Sequence, residues 1–166
     1  MKKILLAILL MAPLSIFAQK FAHFNSADII PAMKEYTAAQ EEIEKLASQY
    51  EEDLKRMQDE FNKKLEDYQK NGDKLLDNVK QRREAELADL QQRIQQSYQD
   101  NQQELSKVQN EKLQAIQELV MAAIKKVGEA GGYVYIVDTS AGVIPFVSST
   151  LSTDVTPEVK KALGMQ

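Results

Sequence analysis

The 166-residue chain has no cysteine and no tryptophan, one histidine (His23), six glycines and four prolines. The absence of cysteine excludes disulfides, thiolate metal sites and a lipidated cysteine anchor. A single histidine excludes paired-histidine zinc motifs and argues against a Ser-His-Asp triad. Nothing beside His23 suggests a base or a ligand, so it reads as an ordinary strand residue. No glycine-rich phosphate loop is present either. These absences point away from an enzyme and away from any cofactor or resident metal. Long hydrophobic runs are also missing: the longest, residues 4–12, falls well short of the roughly 20 residues that span a bilayer.

That short run has a different meaning. Lys2 and Lys3 precede it, Pro13 breaks it, and Ile16-Phe17-Ala18 follows. This order is that of a cleavable export signal, with the cut expected after Ala18. Its removal takes two lysines away, leaving 19 Lys+Arg against 25 Asp+Glu, a net charge of −6. A chain so acidic is a poor nucleic-acid binder. The remainder is crowded with Glu, Gln, Lys and Leu in its middle, a long-helix composition.

Between Met33 and Val127 there is no proline and one glycine, Gly72. Asn71-Gly72-Asp73 is the single break, and Asn-Gly is a turn signal. Before it, apolar residues fall at Ile43, Leu46, Tyr50, Leu54, Met57, Phe61, Leu65 and Tyr68, a spacing that recurs every eleven residues. After it, Leu76, Leu87 and Tyr98 form one row, and Arg83, Ile94, Leu105, Ile116 and Val127 another. Eleven residues over three turns is close to the pitch of a straight helix. The matching stripes predict an antiparallel hairpin folded about Asn71-Gly72, with facing residues whose numbers sum to 143 or 144. Leu65 then meets Val79, Leu54 meets Leu90, Tyr50 meets Ile94 and Leu46 meets Tyr98. Ile43 faces Asn101 inside the polar run Gln99-Asp100-Asn101-Gln102-Gln103, which reads either as a polar seam position that fixes register or as a weak point where the arm flexes near its root.

The flanks are different in kind. Gly128, Gly131 and Gly132 end the long helix, and Tyr133-Val134-Tyr135-Ile136-Val137 reads as a strand. Residues 143–147 read as a second strand, at an edge because of Pro145, and Lys20-Phe21-Ala22-His23-Phe24-Asn25 as a third. Thr156 reads as an N-cap, with Pro157 at the first helical position and Gly164 closing a short helix. The expected organisation is a signal at 1–18, a β-containing body from 19–33 and 128–166, and a helical hairpin arm from 34–127 with its tip at 70–74. The fold class is mainly α with a small β body. Such a body is too small to stand alone, and Phe21, Phe24, Tyr133, Tyr135, Val137, Ile144, Phe146 and Leu151 are its candidate oligomerisation residues.

Charge is unevenly placed. Residues 63–83 carry seven basic side chains (Lys63, Lys64, Lys70, Lys74, Lys80, Arg82 and Arg83) against four acids, a net of +3. Residues 35–53 carry seven acids and one lysine, a net of −6. The carboxylate clusters Glu41-Glu42 and Glu51-Glu52-Asp53 read as solvated helix surface. The basic tip is a candidate contact for an anionic membrane surface or an acidic client, weakening with salt.

The export signal, the Lys20–Asn25 strand and the long charged hairpin together resemble the Skp/OmpH family of periplasmic chaperones. So does the ending, with Lys112-Leu113, Tyr135-Ile136-Val137-Asp138, residues 143–146, Ser148-Ser149 and Asp154-Val155-Thr156. The resemblance implies a homotrimer in the periplasm. Strands of three subunits would form a common body, and three arms would enclose a cavity. It also implies an ATP-independent holdase for unfolded outer-membrane proteins. Family members known to be basic differ from this acidic chain. The alternative is a structural adaptor subunit of an envelope complex, although such adaptors flank their hairpins with larger β-domains than this chain has room for.

Overall fold

The computed structural model describes residues 19–165, and the export signal read at residues 1–18 lies outside the described residues. The element order is β1 (Lys20–Phe24), two single 3-10 turns (Ser26–Asp28 and Ile30–Ala32), α1 (Lys34–Asn71), a 3-10 turn (Gly72–Lys74), α2 (Asp77–Gly131), β2 (Tyr133–Asp138), β3 (Ser152–Asp154) and α3 (Thr156–Ala162). The protein is mainly helical with one small three-stranded sheet. The described residues divide into a helical unit, residues 28–121, and a sheet unit formed by residues 19–27 and 122–165. No helix among the described residues is long and apolar enough to cross a membrane.

In the helical unit α1 and α2 run antiparallel: Glu42 pairs with Lys112 at 2.7 Å, and Lys64 with Glu86 at 2.5 Å. The stripe of Ile43, Leu46, Tyr50, Leu54, Met57, Phe61, Leu65 and Tyr68 is half-buried along its whole length, with exposed residues between. This is the most that two helices can do, since each has only one neighbour to cover one face. On α2, Leu90, Ile116 and Val120 are buried.

The expected register is wrong. Pairing about Asn71-Gly72 puts Lys64 opposite residue 79 or 80, Tyr68 opposite 75 or 76, and Glu42 opposite 101 or 102. The observed partners are Glu86, Glu84 and Lys112. Gly72 does not use the left-handed backbone that an Asn-Gly turn exploits; its φ of −53° and ψ of −40° continue the helix. A Cβ there would lie 3.4 Å from the Tyr68 ring, an ordinary contact, so neither backbone nor packing requires glycine at this position. The chain leaves the helical path only at Leu75, which is extended, and α2 starts at Asp77. The later reversal shifts every facing pair. It leaves Tyr98 56 % and Leu76 73 % exposed, so the expected row of Leu76, Leu87 and Tyr98 is not a buried one. Interpolated between the observed pairs, Asn101 falls opposite the stretch around Tyr50 rather than Ile43.

In the sheet unit β1 is central, in the order β2-β1-β3, and both pairings are parallel. Ala22 and Phe24 turn to one face, where they are buried in company with Val155 and Val159 beside α3. Phe21 points to the other face and stacks on Tyr135, ring centroids 6.3 Å apart and 9° from parallel. The register slips by one residue between Lys20 and Phe21, leaving Val134 as the extra residue of β2. The long helix runs three residues beyond Gly128 and ends where Gly132 takes a φ of +65°.

Residues 143–147 are not a strand, contrary to their apolar and β-branched composition. β2 and β3 lie on opposite sides of β1 and point the same way, so residues 139–151 must carry the chain back across the sheet. A parallel crossover needs about a dozen residues, and this one has no length left for pairing. The third strand is instead the polar Ser152–Asp154. Thr156 is also not the N-cap. Its backbone N–H (2.9 Å) and hydroxyl (2.6 Å) both donate to Asp154 Oδ1, and its Oγ1 accepts the Asn25 N–H at 3.1 Å. α3 closes with Gly164 at φ +75°, its N–H on the Lys161 carbonyl and the Met165 N–H on the Lys160 carbonyl. That is the Schellman pattern of a glycine-terminated helix.

Candidate functional site

The most conspicuous surface of the sheet unit is apolar. Phe21, Tyr135, Val137, Ile144, Phe146 and Leu151 line one groove of about 420 Å³. They come from β1, β2 and the crossover, which the parallel topology lays over the same face. Phe146 is 79 % exposed, Leu151 77 % and Tyr135 65 %. Single exposed apolar residues are ordinary, but a contiguous group marks a surface that something covers. The other two body residues singled out from the sequence lie elsewhere. Phe24 is turned to the opposite face and is buried, and Tyr133 lines a separate groove between β2 and the end of α2.

The basic side chains of residues 63–83 all sit in the helical unit, but not all are unpaired. Lys64 bridges Glu86 and Glu60, Arg83 reaches the same Glu86 at 3.1 Å, and Lys70 pairs with Glu66. The hydrogen bond to Glu86 raises the Lys64 pKa, and the bonds from Lys64 and Arg83 hold the Glu86 carboxyl below its ordinary range. Tyr68 donates to Glu84, which pushes the phenol up to about 12. Among the described residues, Lys63, Lys74, Lys80 and Arg82 make no ion pair within 4 Å. These four, with exposed Leu76 in the reversal, are the cationic surface left over.

Two carboxylates that the sequence reading passed over organise the sheet unit. Asp138 accepts the Ser26 N–H at 3.1 Å and its hydroxyl at 2.6 Å, and the Ser140 N–H at 2.9 Å and its hydroxyl at 2.8 Å. Burial works to raise its pKa, but these bonds outweigh it and the net shift is downward. Asp154, bonded by the Thr156 hydroxyl and N–H, is also lowered. The signal was present as Asp-Thr-Ser and Asp-Val-Thr, in which an Asp side chain bonds the backbone two residues on. His23 Nδ1 lies 2.9 Å from Ser152 Oγ and joins β1 to β3. Asp154 Oδ1 is engaged by Thr156. No group of three or more His, Asp or Glu among the described residues is placed to hold a metal ion.

The chain is mainly helical, with an antiparallel helix pair, a small parallel sheet and an uncovered apolar face on that sheet. The sequence profile of the family described as outer membrane protein (OmpH-like) matches residues 20–163, and the chain belongs to that family. Its fold is similar to that of a crystal structure from Caulobacter crescentus of a protein described as a putative outer membrane chaperone (OmpH-like). The TM-score is 0.75 at 15 % identity, over 87 % of this chain and 83 % of the other. No curated protein matches the chain.

Proposed function

We propose that the chain is an ATP-independent holdase of the periplasm, which binds unfolded outer-membrane proteins between helical arms and keeps them from aggregating. The observation that carries this reading is the family match over residues 20–163, together with a fold shared with an OmpH-like outer membrane chaperone. The physical form of the molecule agrees with it. A half-buried stripe along α1 and an uncovered groove on the sheet belong to a chain that completes its packing with other chains. Self-association as a homotrimer through the sheet unit covers the groove. The helix pairs then wall a space in which many weak contacts act together on one client.

The test is direct. Purified protein at stoichiometric ratio should suppress the aggregation of a denatured β-barrel protein on dilution from urea, with no nucleotide present. Light scattering should give three times the mass of the exported chain. Full aggregation of the client in the presence of the intact oligomer would overturn the reading. The cations of the helix pair that make no ion pair add a peripheral contact with anionic membrane. Binding to anionic vesicles should fall steeply with salt, within the Debye screening expected of exposed charges. A Lys74→Glu, Lys80→Glu variant should lose that binding while still holding client.

A further inference from the structure

The exposed surface of α2 differs in chemistry from that of α1. Residues 91–117 carry twelve Gln or Asn side chains against six charged ones, whereas α1 carries eighteen charged side chains against six Gln or Asn. Charged side chains are the ordinary means of keeping a surface soluble, and α1 uses them. Solubility alone therefore gives no reason for carboxamides on its partner. Their placement is ordered as well. Gln92, Gln96, Gln99, Gln103, Ser106 and Asn110 follow one another at steps of three or four, and Gln114 continues the row. Each is exposed, and each stands two positions from one of the half-buried seam residues Ile94, Asn101, Leu105, Val108 and Lys112. Two positions are about 200° around the helix, so the row looks away from α1, along about 33 Å of α2 at 1.5 Å per residue. A shallow depression of about 590 Å³ lies against half of it, beside Gln103, Ser106, Asn110 and Gln114. The charged residues next to the row, Arg93, Asp100, Lys107 and Glu111, sum to zero.

A row of this kind selects its occupant. A carboxamide offers an N–H donor and a carbonyl acceptor without charge, the same pair of groups that a peptide unit offers. Among the described residues only Gln96 and Gln114 of the row have a protein partner, Asp100 at 2.8 Å and Glu118 at 3.0 Å. The other carboxamides turn both groups to the outside. A ligand of either charge finds no net counter-charge there, whereas an uncharged ligand with alternating donors and acceptors finds a partner at every step. We propose that this row binds the main chain of the extended, unfolded client, taking its unpaired N–H and C=O groups in neutral hydrogen bonds. This rests on the holdase reading and specifies which part of the client is recognised. Row positions recur about every 5.4 Å along the helix, and main-chain groups on one side of an extended chain about every 6.7 Å. The long, flexible glutamine side chains cover the difference. Each bond replaces one to water and adds little alone, but a row of them acts together on one chain. Such recognition is blind to client sequence. It also separates unfolded from folded, because a folded β-barrel has its main-chain groups paired internally. Pairing of the client's own strands then removes the groups that α2 holds, and release needs no nucleotide.

The full exported chain tests this with a denatured β-barrel protein as client. Gln99→Met, Gln103→Met and Asn110→Met together keep apolar stems and helix propensity but remove the hydrogen-bonding groups. Affinity for the client should fall about tenfold, as several weak bonds are lost together. Gln99→Asn, Gln103→Asn and Asn110→Gln together keep every carboxamide and should hold client as the parent does. The ratio of parent to first variant should be the same at low and high salt, because neither row is charged. A ratio that vanishes at high salt overturns neutral recognition. A second probe reads the main chain itself: one strand peptide of a β-barrel, unmodified or methylated at alternate main-chain nitrogens. In a magnetic-resonance titration the methylated form should bind the parent about threefold more weakly. Equal binding of the two peptides by the parent overturns main-chain recognition, and that result depends on no variant being folded. A first variant that holds client as well as the parent, or better, overturns the row as a client site and leaves the chaperone reading intact. A first variant whose assembly differs in mass from the parent's assigns the row to a second copy and overturns it too. A parent that holds no client overturns the chaperone reading itself, and this inference with it.

Discussion

Gly131 is the residue most tightly constrained by its neighbours. It sits at the last position of α2, and a Cβ there would come within 2.1 Å of the Tyr133 ring. Gly131→Ala forces Tyr133 off its site, at a cost of about 1–3 kcal/mol for an overpacked position. Urea denaturation should show that loss, and it should shrink when Tyr133→Ala is made as well, because the two changes share one contact. Asp138 is constrained through charge. Its folded pKa lies below the ordinary 3.8, so its contribution to stability is present above 3.8 and is lost as the pH falls through the lower folded value. Asp138→Asn should cost about 1 kcal/mol at neutral pH, a charge-assisted hydrogen-bond loss discounted for partial exposure. The gap to the parent protein should narrow only as the pH falls below 3.8, through the lower folded value at which the parent carboxyl also becomes neutral. A gap independent of pH would mean that Asp138 acts by shape alone.

At the scale of elements, the helices were legible because burial in them has a period. Each of the eight apolar residues from Ile43 to Tyr68 is half-buried, as the eleven-residue spacing requires. Register was not legible, because it depends on how many residues the reversal consumes, and Gly72 stays helical where an Asn-Gly turn was expected. The strand at 133–137 was legible from composition, while 143–147 has the same composition and is not paired. What separates them is topology: the route from β2 to a parallel β3 passes over the sheet. The apolar groove was legible as a set of residues, since Phe21, Tyr135, Val137, Ile144, Phe146 and Leu151 gather in one place. Phe24 shows the limit of that reading. It differs from Phe21 only in strand parity, and parity sends it to the buried face. Asn101 carries the element-scale prediction. Its Nδ2 is buried with no hydrogen-bond partner among the described residues, and an unsatisfied donor costs about 1–3 kcal/mol. Asn101→Leu should therefore stabilise the helix pair by about 1 kcal/mol and slow amide exchange in the surrounding turns of α1 and α2. Unchanged exchange there would show that the amide finds water in solution.

For the whole molecule, the proposed self-association predicts a stability that depends on how many copies are present. The described sheet unit has a three-stranded sheet and one short helix, and its fully buried apolar side chains include Ala22, Phe24, Val155 and Val159. So small a core gives little margin over conformational entropy. The groove beside Phe21 and Tyr135 holds the apolar surface that a partner would add to it. Under the proposed self-association folding and assembly are linked, and the melting temperature should rise with protein concentration, as for any fold stabilised by a ligand that is its own second copy. Leu151→Asp places a charge in that groove, where Leu151 is 77 % exposed in the single chain. Its effect on an isolated chain is small, because an exposed aspartate stays solvated. In an assembly the same carboxylate is desolvated without a partner, which costs several kcal/mol per ion. Leu151→Asp should therefore lower the mass by light scattering and abolish the concentration dependence of melting. Gln95→Asp, on the exposed surface of α2, should leave both unchanged. A melting temperature independent of concentration in the parent protein would separate folding from assembly and remove the reason for a shared body.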